Sequence, residues 1–379
     1  EEIVTHNYGV DLAFFKNQFT LAVDYFQRTN RGLLVRETIP GYVGWSYRDL
    51  YQEAEGMDPR PFVNRGSMEN SGWDFVAGYT KQIGEVNLSL DLTYSYVKTL
   101  AKDLGADSVF SEGSARGLAG TICRTETGYG ISEFYGLETD GLFTITDSDS
   151  TLEDGTPFIT NQPTYTNSLG QQGWAQRYAA PGDIRFVDQN DDGEINEDDM
   201  VRLGTPFPKH EFGFTLNLSW KIIDLSMFWQ GAFGHSIFNA NKYYLYNNDG
   251  NFNWSADFVN DHYRWQEIVA VDDEGTTVAT FPENTSSENP RLDPFNRNNN
   301  YGRVSDFYVE SGSYLRLKNL QIGVSLPEQI TELMQLEQFR FYIGGKNLLS
   351  FTQYLGMDPE VPTYSVLSAG IDRASYPQA

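Results

Sequence analysis

Cysteine is nearly absent: Cys123 stands alone in 379 residues, so the chain can form no internal disulfide and has no second thiol for a zinc site. That usage suits a chain that avoids stray thiols in an oxidising compartment, and an inert buried thiol accounts for it equally. No apolar run approaches the ~20 residues that a membrane helix needs. Mean hydropathy is −0.46, so any membrane role falls to strands. Basic residues are also scarce. With 27 Lys and Arg against 52 Asp and Glu, the net charge of −25 repels a phosphate backbone and excludes nucleic acid as an expected partner. His6, His210, His235 and His262 are widely separated, and His210-Glu211 continues as Phe212-Gly213 without completing a His-Glu-x-x-His site. Gly-x-Ser-x-Gly elbows, phosphate-cradling loops and dinucleotide fingerprints are missing too, so the chain is not expected to be an enzyme. It opens on Glu1-Glu2-Ile3 with neither methionine nor a basic apolar signal segment, as expected for part of a longer protein.

What is abundant is aromatic residues, at 15%, and glycine, at 35 residues, a composition that favours β architecture. The pattern agrees. Val86, Leu88, Leu90, Leu92, Tyr94 and Tyr96 occupy one face of a stretch whose other face carries Asn87, Ser89, Asp91, Thr93 and Ser95. Further alternating stretches predict four hairpins. Tyr8 to Phe14 pairs with Phe19 to Tyr25 through Lys16-Asn17-Gln18, and Trp73 to Tyr79 pairs with the Val86 stretch through Gln82-Ile83-Gly84. Phe212 to Trp220 pairs with Leu225 to Trp229 through Lys221-Ile222-Ile223, and Tyr314 to Leu326 pairs with Phe339 to Leu349, with Pro327 ending the earlier strand.

The connections between hairpins are of another kind, spanning about Val35 to Arg65, Thr99 to Phe207 and Gly234 to Gly312, far longer than compact domains use. Strict alternation of short and long links predicts an all-β chain: part of a larger antiparallel transmembrane β-barrel, with short periplasmic turns and long extracellular loops. Asp11, Asp24, Asp74 and Asp91 fall opposite the apolar face, which would place them in a polar lumen. A soluble β-sandwich alternates similarly but gives no reason for the loop asymmetry. One strand breaks phase: after Leu315 and Leu317 the apolar residues resume at Leu320, Ile322, Val324 and Leu326, which predicts a β-bulge near Lys318-Asn319.

Four blocks carry a family resemblance. Ser305 to Pro327, SDFYVESGSYLRLKNLQIGVSLP, resembles the signature before the penultimate hairpin of SusC-family TonB-dependent outer-membrane transporters, the RagA/SusC-like group. Phe341 to Val361, FYIGGKNLLSFTQYLGMDPEV, is similar to the family's next strand and its descent into a loop. Pro181 to Ile195, PGDIRFVDQNDDGEI, resembles its acidic loop, and Asn64 to Phe75, NRGSMENSGWDF, its re-entry into an upstream strand. The blocks run in family order, so residues 1–379 are expected to be a C-terminal portion of the barrel, without the plug domain or closing strand. The resemblance implies active import of a bulky nutrient, an oligosaccharide or oligopeptide, through the outer membrane of a Gram-negative, Bacteroidetes-type bacterium. It further implies a SusD-like surface lipoprotein as partner and TonB as energy source, coupled through the missing N-terminal region. Membrane lipid would surround the barrel. The alternatives are a soluble, calcium-binding β-rich protein that binds glycans or acts as an adhesin, and a siderophore-type TonB-dependent receptor.

Within residues 181–200, part of the second long loop, Asp188, Asn190, Asp192 and Gly193 fit the start of a calcium loop. Glu194 stands at the backbone-carbonyl position, Asn196 at the water-linked position and Asp199 at closure, where glutamate is usual. Structural Ca²⁺ is therefore expected, with metal residues Asp188, Asn190, Asp192, Glu194 and Asp199, and with Ile195 as an apolar anchor. Trp73, Trp220 and Trp229 lie in strands and suit interfacial girdles. Trp45, Tyr47, Trp174, Tyr178, Trp254 and Trp265 lie in long loops, where they could contact a ligand or partner or simply pack the loops; Tyr263 shares that uncertainty.

Overall fold

The computed structural model describes residues 2–36, 62–105, 109–151, 157–166, 169–247, 253–293, 295–363 and 365–374. Eight strands form one antiparallel meander in which every strand pairs with its neighbours in sequence. They are β1 (Glu2–Phe14), β2 (Phe19–Arg36), β3 (Phe62–Ile83), β4 (Val86–Asp103), β5 (His210–Trp220), β6 (Ile223–Phe233), β7 (Tyr314–Ser325) and β8 (Arg340–Thr352). The four expected hairpins are present, two of them with tighter turns than the pattern suggested, while the first turns through the four residues Phe15 to Gln18. Gln82 and Ile83 belong to β3 and Ile223 to β6, which leaves Gly84-Glu85 and Lys221-Ile222 as two-residue turns. Each begins with a left-handed residue, Gly84 at φ +61° and Lys221 at +54°, the backbone that lets a short turn follow the twist of its strands. The link from β7 to β8 contains a short helix, Glu328–Leu333.

Cross-strand register places like with like. Tyr8, Tyr25, Trp73, Tyr96, His210 and Phe233 follow one another across β1 to β6 as an unbroken outward row. Tyr25 and Trp73 have ring centroids 5.0 Å apart, and Tyr96 and His210 5.2 Å. Below this row the same face is mostly aliphatic and aromatic, with Lys81 and Gly231 as exceptions, down to the turns, where Ile83 pairs with Val86 and Trp220 with Ile223. The belt is about ten residues deep, which tilted strands convert to roughly 25 Å, the height of a lipid-facing band. Trp73 is 43% and Trp220 50% exposed at its two margins, while Trp229 stacks on Phe351 slightly inside the upper one. With 18 to 22 residues each, β2, β3 and β4 outrun the ~9–11 that cross a bilayer, so their upper ends project beyond it.

The links at the projecting ends fold into a layer of their own. Ile122, Cys123 and Phe134 from the link between β4 and β5 pack with Phe238, Ala240, Val304 and Tyr308 from the next link and Ile371 from the segment after β8. Short sheets tie the links together: Phe238 pairs with Val309 on one side and, in parallel, with Ile371 on the other. Burying such a core offsets the conformational entropy that a loop of this length would otherwise retain. Cys123 is fully enclosed here, and burial pushes its thiol up to about 11, which makes it the inert buried cysteine of the two readings.

Candidate functional site

The face opposite the apolar belt is polar. Gly9, Asp24, Asp74, Ser95 and Glu211 form its own cross-strand row, and the Ser95 hydroxyl donates to Asp74 Oδ1 at 2.6 Å. A Cβ on Gly9 would sit 2.2 Å from Asp24 Oδ1, so the missing side chain makes room for the carboxylate. Asp11 and Asp91 lie on this same face, so all four aspartates assigned to the lumen are together.

The bulge is where the broken phase put it. Phe228 pairs with Asn319 and Trp229 with Leu317, which extrudes Lys318 and turns it, with Arg316, to the inner face. Both cations meet the segment after β8. Arg316 donates to Asp358 Oδ1 at 2.8 Å and also bonds Glu360; Lys318 Nζ lies 2.7 and 2.9 Å from the Glu360 carboxylate oxygens; the Tyr314 hydroxyl donates to Glu360 at 3.0 Å. This clamp folds residues 354–361 back over the inner face. A cavity of about 440 Å³ opens beside it, lined by Thr93, Ser95, Glu211, Gln230, His235 and Glu360 among others. Burial alone pushes the His235 imidazole down to about 4, and its Nδ1 has no hydrogen-bond partner.

In the loop layer, the acidic segment curls around its own backbone. Asp188 accepts from the Asp192 and Gly193 amides at 3.2 and 2.7 Å, Asn190 from the Asp192 amide at 2.9 Å, and Asp192 from the Glu194 amide at 2.8 Å. Gly193 has φ +83°, and a Cβ there would lie 2.1 Å from the Thr164 carbonyl oxygen, so the turn demands glycine. Ile195 packs against the Leu137, Ile184 and Phe186 cluster, as an anchor should. Asp199 is fully buried and accepts from the amides of Gln189 and Asn196, both at 2.8 Å. The donors are the hard oxygens that calcium takes, but the curl is held by amide-to-carboxylate bonds. Among the described residues no three His, Cys, Asp or Glu side chains gather as a metal-holding group.

The loop aromatics separate. Trp45 and Tyr47 lie outside the described residues. Trp174 ends the small hairpin Thr164–Thr166 with Gln172–Trp174, makes an edge contact with Phe158 at 5.7 Å, and shares a cleft with Tyr178. Trp254 and Trp265 are half-buried elsewhere in the layer, and Tyr263 is buried, its hydroxyl accepting from the Ile145 amide.

No family model matches the chain. It is 28% identical over 383 residues to TonB-dependent receptor P3 of Formosa agariphila, covering 97% of this chain and 32% of that receptor. It is 23% identical to TonB-dependent receptor SusC of Bacteroides thetaiotaomicron, covering 100% of this chain and 31% of SusC. Among solved structures, the RagAB peptide transporter superposes with a TM-score of 0.65 at 20% identity, over 99% of this chain and 33% of its counterpart. The RagAB peptide importer in its closed-closed state gives 0.62 at 20% identity, over 98% and 34%. Over nearly its whole length the chain resembles SusC-type TonB-dependent receptors, and it shares the strand fold of RagAB. It spans about a third of the length of the curated relatives it matches.

The structure holds site residues that the pattern of the sequence did not single out. Asp183, fully buried, receives Arg291 through Nε at 2.8 Å and Nη2 at 3.1 Å, Asn300 at 2.9 Å and the Ala180 amide at 2.8 Å, joining the second and third long links. The only forewarning was its place in the Pro181 to Ile195 block. Arg177 and Arg297, in the Trp174 cleft, had no periodicity to mark them.

Proposed function

We propose that the complete protein imports a bulky nutrient, an oligosaccharide or oligopeptide, across the outer membrane of a Bacteroidetes-type bacterium. A SusD-like surface lipoprotein closes the loop layer from outside, and TonB supplies energy from within. The observation that carries this reading is a single meander with an apolar belt outside, an acidic row inside and a packed loop layer at one rim. Lipid solvates the first, cargo passes the second, and the third offers a preformed surface for the partner. The resemblance to SusC and RagAB supports both the class of cargo and the kind of partner.

The inner row and the clamp are the parts of this chain that would line the path. Asp24, Asp74 and Glu211 present acceptors to a hydrated solute, and the Arg316–Glu360 clamp keeps the segment after β8 from hanging into it. The Asp188 to Asp199 segment, on this reading, holds a structural calcium ion. The ion would add to a curl that amide bonds already set, with the exposed Asn190 and Asp192 turning toward it.

The test is mass spectrometry of the native complex extracted in detergent from cells that carry a tagged receptor. A parent much heavier than this chain, with a co-purifying surface lipoprotein and a bound oligomer, is the expected result. A water-soluble species of this chain's own mass, with no partner, would overturn it.

A further inference from the structure

The cleft beside Trp174 combines aromatic rings with exposed guanidinium groups. Its volume is about 380 Å³, and its lining includes Phe158, Trp174, Tyr178, Arg177 and Arg297. Tyr178 is 61% exposed, with the Arg177 guanidinium 5.5 Å from its ring centre; Arg297 lies 5.2 Å from the ring of Phe295, itself 73% exposed. With 52 acidic residues against 27 basic ones, arginines here readily find carboxylates: Arg185, Arg202, Arg291, Arg316 and Arg340 all do. Among the described residues Arg177 and Arg297 pair with none. Two uncompensated guanidinium groups beside flat exposed rings make a site for an anion attached to a flat apolar face.

The frame is preformed. Gln176, buried, bonds the Ile184 carbonyl at 2.8 Å and receives the Phe186 amide at 2.9 Å, which fixes the segment that carries Arg177 and Tyr178. Arg291 closes the floor, already neutralised by Asp183 and Asp293. The floor offers no main-chain ladder, because the Ala179 amide donates to the Gln176 carbonyl and the Ala180 amide to Asp183. An extended peptide is recognised largely through such ladders. Sugar rings need none, since their apolar faces lie on aromatic rings while a carboxylate or sulfate takes the guanidinium donors.

We propose that this cleft binds an anionic sugar ring, one bearing a carboxylate or a sulfate, of an acidic oligosaccharide. The proposal rests on the import reading and narrows its cargo. The surrounding negative charge makes the attraction local, so binding weakens as salt rises.

Calorimetry on the detergent-solubilised full receptor with its natural partner tests it, using four probes: tetragalacturonate, its uncharged methyl ester, a sulfated galactose tetramer and tetraglutamate. At least one anionic saccharide should bind, and which one does identifies the carboxylate or the sulfate as the source of charge. The methyl ester should bind at least about tenfold more weakly than the free acid if the carboxylate is that source. The double variant Arg177→Gln, Arg297→Gln should lose about the same factor for the charged saccharide, and Tyr178→Ala should weaken it as well. All three side chains are exposed, so the fold should survive. Failure of both anionic saccharides to bind, unchanged affinity in the double variant, or binding of tetraglutamate alone overturns the proposal. A receptor that takes up another cargo refutes the cleft and leaves import standing; saccharide binding by a chain that needs neither membrane nor partner refutes import and leaves the cleft.

Discussion

Lys318, extruded by the bulge in β7, reaches Glu360 with its Nζ 2.7 and 2.9 Å from the two carboxylate oxygens, across the fold from one strand to the segment that follows the next. The bulge thus has a purpose beyond restoring the apolar phase: it turns a second cation inward beside Arg316. Glu360→Gln leaves Arg316, only 6% exposed, without half of its compensation. Loss of one partner from a buried ionic cluster costs about 3 kcal/mol. The expected result is a lower melting temperature of the detergent-solubilised protein and faster amide exchange over residues 354–361. Wild-type exchange in that variant would show that the clamp does not hold the segment.

His235 gives the loop layer a pH response. Its imidazole is held neutral by burial, with a pKa of about 4 against 6.5 when unfolded, so between those values the unfolded chain binds the extra proton. This contribution to stability is therefore complete above pH 6.5 and lost as the pH falls toward 4. Thermal unfolding measured across that window should show a slope that His235→Phe flattens. Identical slopes in the two proteins would remove His235 as the source.

The two faces of β5 should answer oppositely to charge. Leu216, paired with Leu90 and Met227, lies in the middle of the apolar belt, and Leu216→Arg there should cost about 2–4 kcal/mol in a folding titration into lipid vesicles. Thr215, one residue away on the polar face beside Asp91, should accept Arg with little change. Equal penalties at the two positions would mean that both faces are dry, as in a sandwich.

Much of this was legible because strand alternation is a local signal. The four hairpins, the inward aspartates and the Lys318 bulge follow from a period of two and its interruption, whereas the exact turn residues do not, since Ile83 and Ile223 belong to strands. The loop layer was not legible, since its strands are mostly three to five residues long, too short to show a period, and its core joins Ile122, Phe238 and Ile371 from three separate segments. The aromatic residues there could be named but not sorted. Trp174 and Tyr178 proved to share a cleft because a hairpin and the Asp183 hub bring them together, whereas Trp254 and Trp265 lie apart from it. Unpaired arginines carry no sequence signature at all, because their distinction is the absence of a neighbouring carboxylate.

Calcium offers the sharpest separation of pattern from placement. The spacing of Asp188, Asn190, Asp192 and Asp199 is that of a hard-cation loop, yet the carboxylates of Asp188 and Asp199 are already satisfied by backbone amides. A loop prefolded in this way should keep its shape when metal is withdrawn, while binding adds stability in proportion to free calcium. The full-length protein is thus expected to retain about one equivalent of calcium by elemental analysis, with chelation lowering the melting temperature without unfolding the loop layer. Asp188→Ala with Asp192→Ala should abolish the retained metal. Gly193→Ala should do so indirectly, because its Cβ would collide with the Thr164 carbonyl and open the curl. Unchanged calcium content in the double aspartate variant would assign the ion, if one is found, to a different place.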